Sequence, residues 1–147
     1  MKKILGLFLM ILFSSSVYAA ESVAQKVRNA LNEFAWEKRQ LIVFSPSKEH
    51  AEYQRFKSIE LEFNDEFKER RLQSWHVIAN DSVKLDSVTR GDILTQDFRD
   101  RYNVDTNEFR LLLIGYDQGE KLRLKKVSID YLFSQIDQMP MRVQEMQ

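Results

Sequence analysis

Apolar side chains recur along the chain with two different periods, and the switches between them mark out its elements. Val23, Val27, Ala30, Leu31 and Phe34 fall three and four residues apart, which predicts an N-terminal helix with one apolar face. Gln40-Leu41-Ile42-Val43-Phe44 follows as a buried strand, ended by Ser45-Pro46-Ser47. Helical spacing returns at Tyr53, Phe56, Ile59, Phe63 and Phe67, with Glu, Lys and Arg on the other faces. One helix is expected from about Lys48 to Arg71, with Ser47 as its N-cap and Glu49 in its first turn. Trp75 to Ala79 reads as a second strand, and the polar stretch from Asn80 to Val88 as a loop. Leu94, Phe98 and Tyr102 lie four apart on a third helix, near Asp92 to Tyr102.

The stretch from Phe109 to Gly115 is the most strand-like of all, and its unbroken apolar run suggests a central strand covered on both faces. Asp117 to Glu120 is a turn in which Gly119 is expected to supply a positive φ, and Lys121 to Leu124 returns as the second arm of a hairpin. Ser128 caps a last helix, with Val127 and Leu132 placed as a hydrophobic staple, and Pro140 ends it. The order is an extra N-terminal helix followed by β-α-β-α-β-β-α. Such an order implies a parallel first pair with a right-handed crossover, then an antiparallel hairpin. The expected fold is α/β, a three-layer sandwich around a small mixed sheet, and the element order is thioredoxin-like.

Residues 1–19 have a different character. Lys2 and Lys3 precede an apolar run from Ile4 to Phe13, and Val17-Tyr18-Ala19 places small residues where a signal peptidase cuts. A signal peptide of residues 1–19 is expected, cleaved after Ala19, leaving residues 20–147 as a single domain. The run is short for a bilayer crossing, which needs about 20 residues, and later runs are shorter still, so no stable membrane span is expected. The periplasm or the cell exterior is the expected location. Residues 20–147 carry 20 basic and 22 acidic side chains, a net charge of −2, which does not suggest a nucleic-acid partner. The chain contains no cysteine. Thiol–disulfide exchange, thiolate peroxide chemistry, iron–sulfur ligation and thiolate zinc sites are thereby excluded.

Three segments carry a family resemblance: Trp36 to Phe44, Phe109 to Leu122 (FRLLLIGYDQGEKL), and Ile136 to Met146 (IDQMPMRVQEM). Together they resemble the bacterial DUF4174 proteins, the prokaryotic branch of the DUDES domains, whose animal members occur in sushi-repeat matrix proteins. The motif residues are Trp36, Gly115, Asp117, Gly119, Lys121, Asp137, Met139, Pro140, Met141, Arg142, Glu145 and Met146. The resemblance implies a thioredoxin-like, peroxiredoxin-related fold and no established activity. Thioredoxins place Cys-x-x-Cys after the first core strand, where this chain has Ser45-Pro46-Ser47-Lys48, and a cis-proline before the central strand, where it has Asn107-Glu108. Redox catalysis therefore does not carry over from the fold.

The remaining candidate chemistry is thin. Met139, Met141 and Met146 are soft ligands that suit Cu(I), but gap-filling in an apolar groove accounts for them more simply. Arg142 and Glu145 are spaced to pair and pin the tail. His76 in a strand and His50 at a helix start read as satisfied core or surface histidines, and Ser45 and Ser47 lack a nucleophile elbow. Asp117 to Glu120 lacks the ligand spacing of a calcium loop. Arg70-Arg71 and Arg99-Asp100-Arg101 read as solvated helix faces. The leading expectation is a non-catalytic binding or structural module with no cofactor and an unidentified protein partner, its oligomeric state open. The alternative is a hydrolase-like enzyme, which a pocket gathering shifted ionisable groups around His76, Asp117 or Asp137 would favour. Methionine-based Cu(I) handling is the third.

Overall fold

A computed structural model describes residues 24–147. The signal peptide and its cleavage after Ala19 lie outside the described residues. Helix α1 occupies 24–32. The elements that follow are β1 (Arg39–Ser45), α2 (Ala51–Glu62), α3 (Asn64–Glu69), β2 (Leu72–Ile78), β3 (Val83–Leu85), β4 (Val88–Arg90), α4 (Thr95–Tyr102), β5 (Arg110–Ile114), β6 (Glu120–Leu124), α5 (Ile129–Asp137) and α6 (Pro140–Glu145). The six strands form one mixed sheet in the order β4-β3-β2-β1-β5-β6. β1 runs parallel to β2 and antiparallel to β5, and every other pairing is antiparallel.

Successive side chains of a strand point to opposite faces, so an apolar run must be covered twice. Ile42 and Phe44 of β1, Trp75 and Val77 of β2, and Leu112 and Ile114 of β5 face one layer, where Val27, Ala30 and Leu31 of α1 and Phe98 and Tyr102 of α4 cover them. Leu41, Val43, Leu111 and Leu113 face the other, beneath Tyr53 and Phe56 of α2, Phe67 of α3, and Leu132 and Ile136 of α5. The result is the three-layer α/β arrangement expected from the sequence.

Four local expectations change. The helix foreseen from Lys48 to Arg71 breaks at Phe63 into α2 and α3, and Phe63 and Phe67 both meet the ring of Phe133 edge-on. Ser47 does not cap it: His50 takes the N-cap position, while the Ser47 hydroxyl accepts a hydrogen bond from the Glu49 N–H at 3.2 Å. The loop foreseen from Asn80 to Val88 holds the three-residue strand β3 and leads into β4. Asp86, at φ 52°, ties this hairpin to β2 through hydrogen bonds in both directions with the Ser74 backbone. Pro140 ends one helix as foreseen but also opens α6 from its first position, where the missing N–H costs no hydrogen bond.

Candidate functional site

Two of the clefts among the described residues are built on opposite principles. The first lies where β1 begins and the β5–β6 turn ends. Trp36 sits there in the left-handed region at φ 65°, and its N–H donates to the Tyr116 carbonyl at 3.1 Å. Around it stand Gly115, Tyr116, Asp117, Lys121, Met139, Pro140 and Met141, enclosing about 300 Å³ of largely apolar space. Trp36 is 66% exposed and Met141 44%. At the lip, Lys121 donates to Asp117 at 2.7 Å and holds its carboxyl below the usual carboxylate range. A Cβ on Gly115 would stand 2.6 Å from the Lys121 Cε, so glycine is what lets that side chain lie across the turn. Gly119 does not supply a positive φ; Gln118 does, at 65°. Side-chain bonds steady this turn: Asp117 accepts from the Gly119 N–H within it, and Gln118 accepts from the buried Gln40 of β1.

Under this cleft runs a chain of ion pairs built on two buried arginines. Arg39 is 1% exposed. Its guanidinium donates to the Arg70 carbonyl at 2.9 Å, to the Tyr116 hydroxyl at 3.0 Å and to Glu145 at 3.1 Å. The Tyr116 hydroxyl in turn donates to Glu145. Arg142, also buried, donates to Asp137 at 3.1 Å, to the Glu69 carbonyl at 3.0 Å and to the Glu69 carboxylate. Asp137 takes a second, two-pronged contact from Arg70 at 3.0 and 2.7 Å. Burial alone would push the Asp137 and Glu145 carboxyls up. The two arginines on Asp137, and Tyr116 with Arg39 on Glu145, hold both below the usual range. The acidic and basic residues of the tail thus fasten α5 and α6 to α3 and β1. Arg142 and Glu145 do approach each other, at 3.8 Å, but their main partners lie elsewhere.

The second cleft, about 690 Å³, opens between α2–α3 and β2–β3. Ser74 and His76 form its floor as alternate residues of β2, on a face otherwise given to Leu72 and Ile78. His76 Nδ1 stands 3.2 Å from the Tyr53 hydroxyl, and Nε2 stands 3.5 Å from Glu60, at the limit of hydrogen-bonding reach. Burial pushes the Tyr53 phenol up to about 12, so it keeps its proton and can donate it to Nδ1, the tautomer that leaves an N–H at Nε2 facing Glu60. Burial would also raise Glu60, but the His76 ring and the Lys57 ammonium beside it hold it down at about 2. Lys57 donates to Glu60 at 2.7 Å. The Ser74 hydroxyl and His76 Nε2 are buried and make no hydrogen bond within the described residues. An unmet buried donor of this kind costs about 1–3 kcal/mol.

The other sequence candidates fall outside both clefts or have structural roles. Ser45 donates to the Ser47 carbonyl at 2.7 Å, so neither serine is joined to a base. His50 stacks on Phe109. Met139 packs against the apolar layer below α5, Met141 lines the first cleft, and Met146 is exposed at the end of α6. Arg99 is not on a solvated face: it is buried across the ends of β1 and β2 and donates to the carbonyls of Ser45, Val77 and Asp105. Arg70 is likewise committed, to Asp137. The sequence reading missed Arg39, Tyr116, Ser74 and Glu60 as site residues. For Glu60 a signal existed, since it lies seven residues after Tyr53 and four after Phe56 and so falls on the buried stripe of α2.

Among the described residues, no helix is long and apolar enough to cross a membrane, and no group of three His, Cys, Asp or Glu side chains could hold a metal ion. The family model described as Domain of unknown function (DUF4174) matches residues 30–145. No curated protein and no solved structure matches the chain.

Proposed function

Because the chain belongs to the DUF4174 family, whose description assigns no role, we propose a function from its own geometry: it is an exported, thioredoxin-like module that works by contact rather than catalysis. The partner is a protein segment that seats an aliphatic or aromatic side chain against Trp36, Tyr116, Met139 and Met141. The observation that carries this reading is that Trp36 and Met141 stay exposed beside a scaffold in which Arg39, Arg70, Asp137, Arg142 and Glu145 are paired with one another. Large apolar side chains left at the surface in a preformed recess are the usual anchor of a protein contact. The recess is about the size of one or two side chains, and the Asp117–Lys121 pair at its lip offers both charges to a peptide backbone.

The thioredoxin-like part of the reading rests on the subset β2-β1-β5-β6, with its parallel first pair and antiparallel closing hairpin. Export rests on residues 1–19, and the periplasm or cell exterior is the compartment that goes with it. Without cysteine, the loop after β1 offers a partner no thiol, which leaves contact as the function of the fold.

The enzyme reading has one observation in its favour, the gathering of Glu60, His76 and Tyr53 in the second cleft. Its weakness is the missing nucleophile. One ring nitrogen of His76 is taken by Tyr53, the other faces a carboxylate, and Ser74 bonds to neither. Copper handling has less support, because α6 turns Met141 and Met146 about 140° apart.

Affinity capture from periplasmic extract, with the wild-type chain and a Trp36→Ala chain as paired baits, tests the contact reading. Trp36→Ala should leave stability within about 0.5 kcal/mol, as an exposed substitution does, and should lose a protein that the wild type retains. Identical captures by the two baits would refute it.

A further inference from the structure

The second cleft holds unused bonding capacity of a particular kind. Its floor presents two buried polar atoms without partners, the Ser74 hydroxyl and His76 Nε2, next to an ionised Glu60. Lys84 stands directly opposite His76 in the β2–β3 pairing, so the two side chains share a face. Lys38, Lys57 and Lys68 line the same space, with Glu60 and Asp86 as its carboxylates. Lys57 is occupied by Glu60, and Asp86 is occupied by the Ser74 N–H. Lys38 and Lys84 form no ion pair among the described residues, which leaves the walls with an excess of positive charge.

We propose that this cleft binds a small hydroxylated anion, such as a sugar acid or a sugar phosphate. Its carboxylate or phosphate sits at Lys84, and one hydroxyl reaches the floor, donating to Glu60 while accepting from His76 Nε2 or Ser74. The division of chemistry follows from the residues. A simple anion would meet the lysines but would be repelled from Glu60, and a neutral polyol would satisfy the floor but leave Lys84 unpaired. A hydroxyl both donates and accepts, which is what a carboxylate beside an N–H requires. The site is distinct from the Trp36 cleft, and neither depends on the other.

Nuclear magnetic resonance titration of the purified protein with D-glucuronate and with glycerol 3-phosphate tests the assignment, with D-glucose and acetate as single-feature controls. Saturable shifts are expected in the His76 ring and in the amides of Ser74, Lys84 and Asp86, with either control binding about ten-fold more weakly. Lys84→Ala, on a partly exposed edge hairpin, should weaken binding by about ten-fold without loss of fold, and Ser74→Ala should weaken it by a smaller factor. The proposal is overturned if neither anion shifts these signals up to about 50 mM, if acetate matches them, or if folded Lys84→Ala binds as tightly as the wild type. In each case the cleft holds solvent or a nonspecific counterion only.

Discussion

The two clefts differ in what lies beneath them. Under the Trp36 cleft, the buried Arg39 and Arg142 and the partly exposed Asp137 and Glu145 are each met by oppositely charged or hydrogen-bonding partners. Under the His76 cleft, a serine hydroxyl and a ring nitrogen are buried without one. Full satisfaction rigidifies, so the first network fixes the walls of the cleft beside Trp36. Incomplete satisfaction leaves capacity for something from outside. On the readings proposed above, the contrast separates side chains that fasten the scaffold from buried polar atoms left open to a ligand.

The scaffold half of this contrast is tested most severely by ending the chain after Gln135. That removes buried Ile136 together with Asp137, Arg142 and Glu145, and it strands Arg39 without its carboxylate. The melting temperature should fall on the order of 10 °C or more. An unchanged value in calorimetry would mean that the tail hangs free and the first cleft has no fixed wall. Arg39→Ala is the next largest change. It leaves Glu145 and the Tyr116 hydroxyl without their cation, and chemical denaturation should register a loss of about 3 kcal/mol. A change below a few tenths would show that the network is ornamental to stability.

Acid should act in the same direction and less strongly. The carboxyls of Asp137 and Glu145 lie lower in the folded chain than their ordinary values. Their contribution is therefore complete above the unfolded values, near 4, and is lost as the pH falls through the folded ones. The melting temperature should decline below about pH 4, and Asp137→Asn should flatten that decline. A profile identical for both chains would place the acid sensitivity elsewhere.

How far the sequence could be read depended on whether an element's signal was local. β1 and β5 announce themselves as continuous apolar runs because both of their faces are covered, and α5 does so through Ile129, Leu132 and Ile136. β3 and β4 do not. Each is three residues long, and what holds them is Asp86 reaching back to Ser74, a contact twelve residues away that no window of periodicity contains. The break at Phe63 was hidden for a related reason: Phe63 and Phe67 keep helical spacing, and only the ring of Phe133 on α5 reveals that they serve two helices. The left-handed position in the β5–β6 turn fell on Gln118 because its side chain finds Gln40, outweighing the ease with which Gly119 would have taken it. Of the candidate sites, the motif residues could be named but not assembled. Trp36, Gly115 and Met141 come from three segments distant in sequence, and only the fold gathers them into one recess.

Contact between Trp36 and a partner protein is the central proposal. Site-specific photocrosslinking in living cells addresses it directly, with benzoylphenylalanine placed at position 36 and, as a reference, at the equally exposed Val88 on β4. A discrete crosslinked species is expected from position 36 and is expected to be missing from position 88. Equal crosslinking at both positions, or none at position 36, would contradict it.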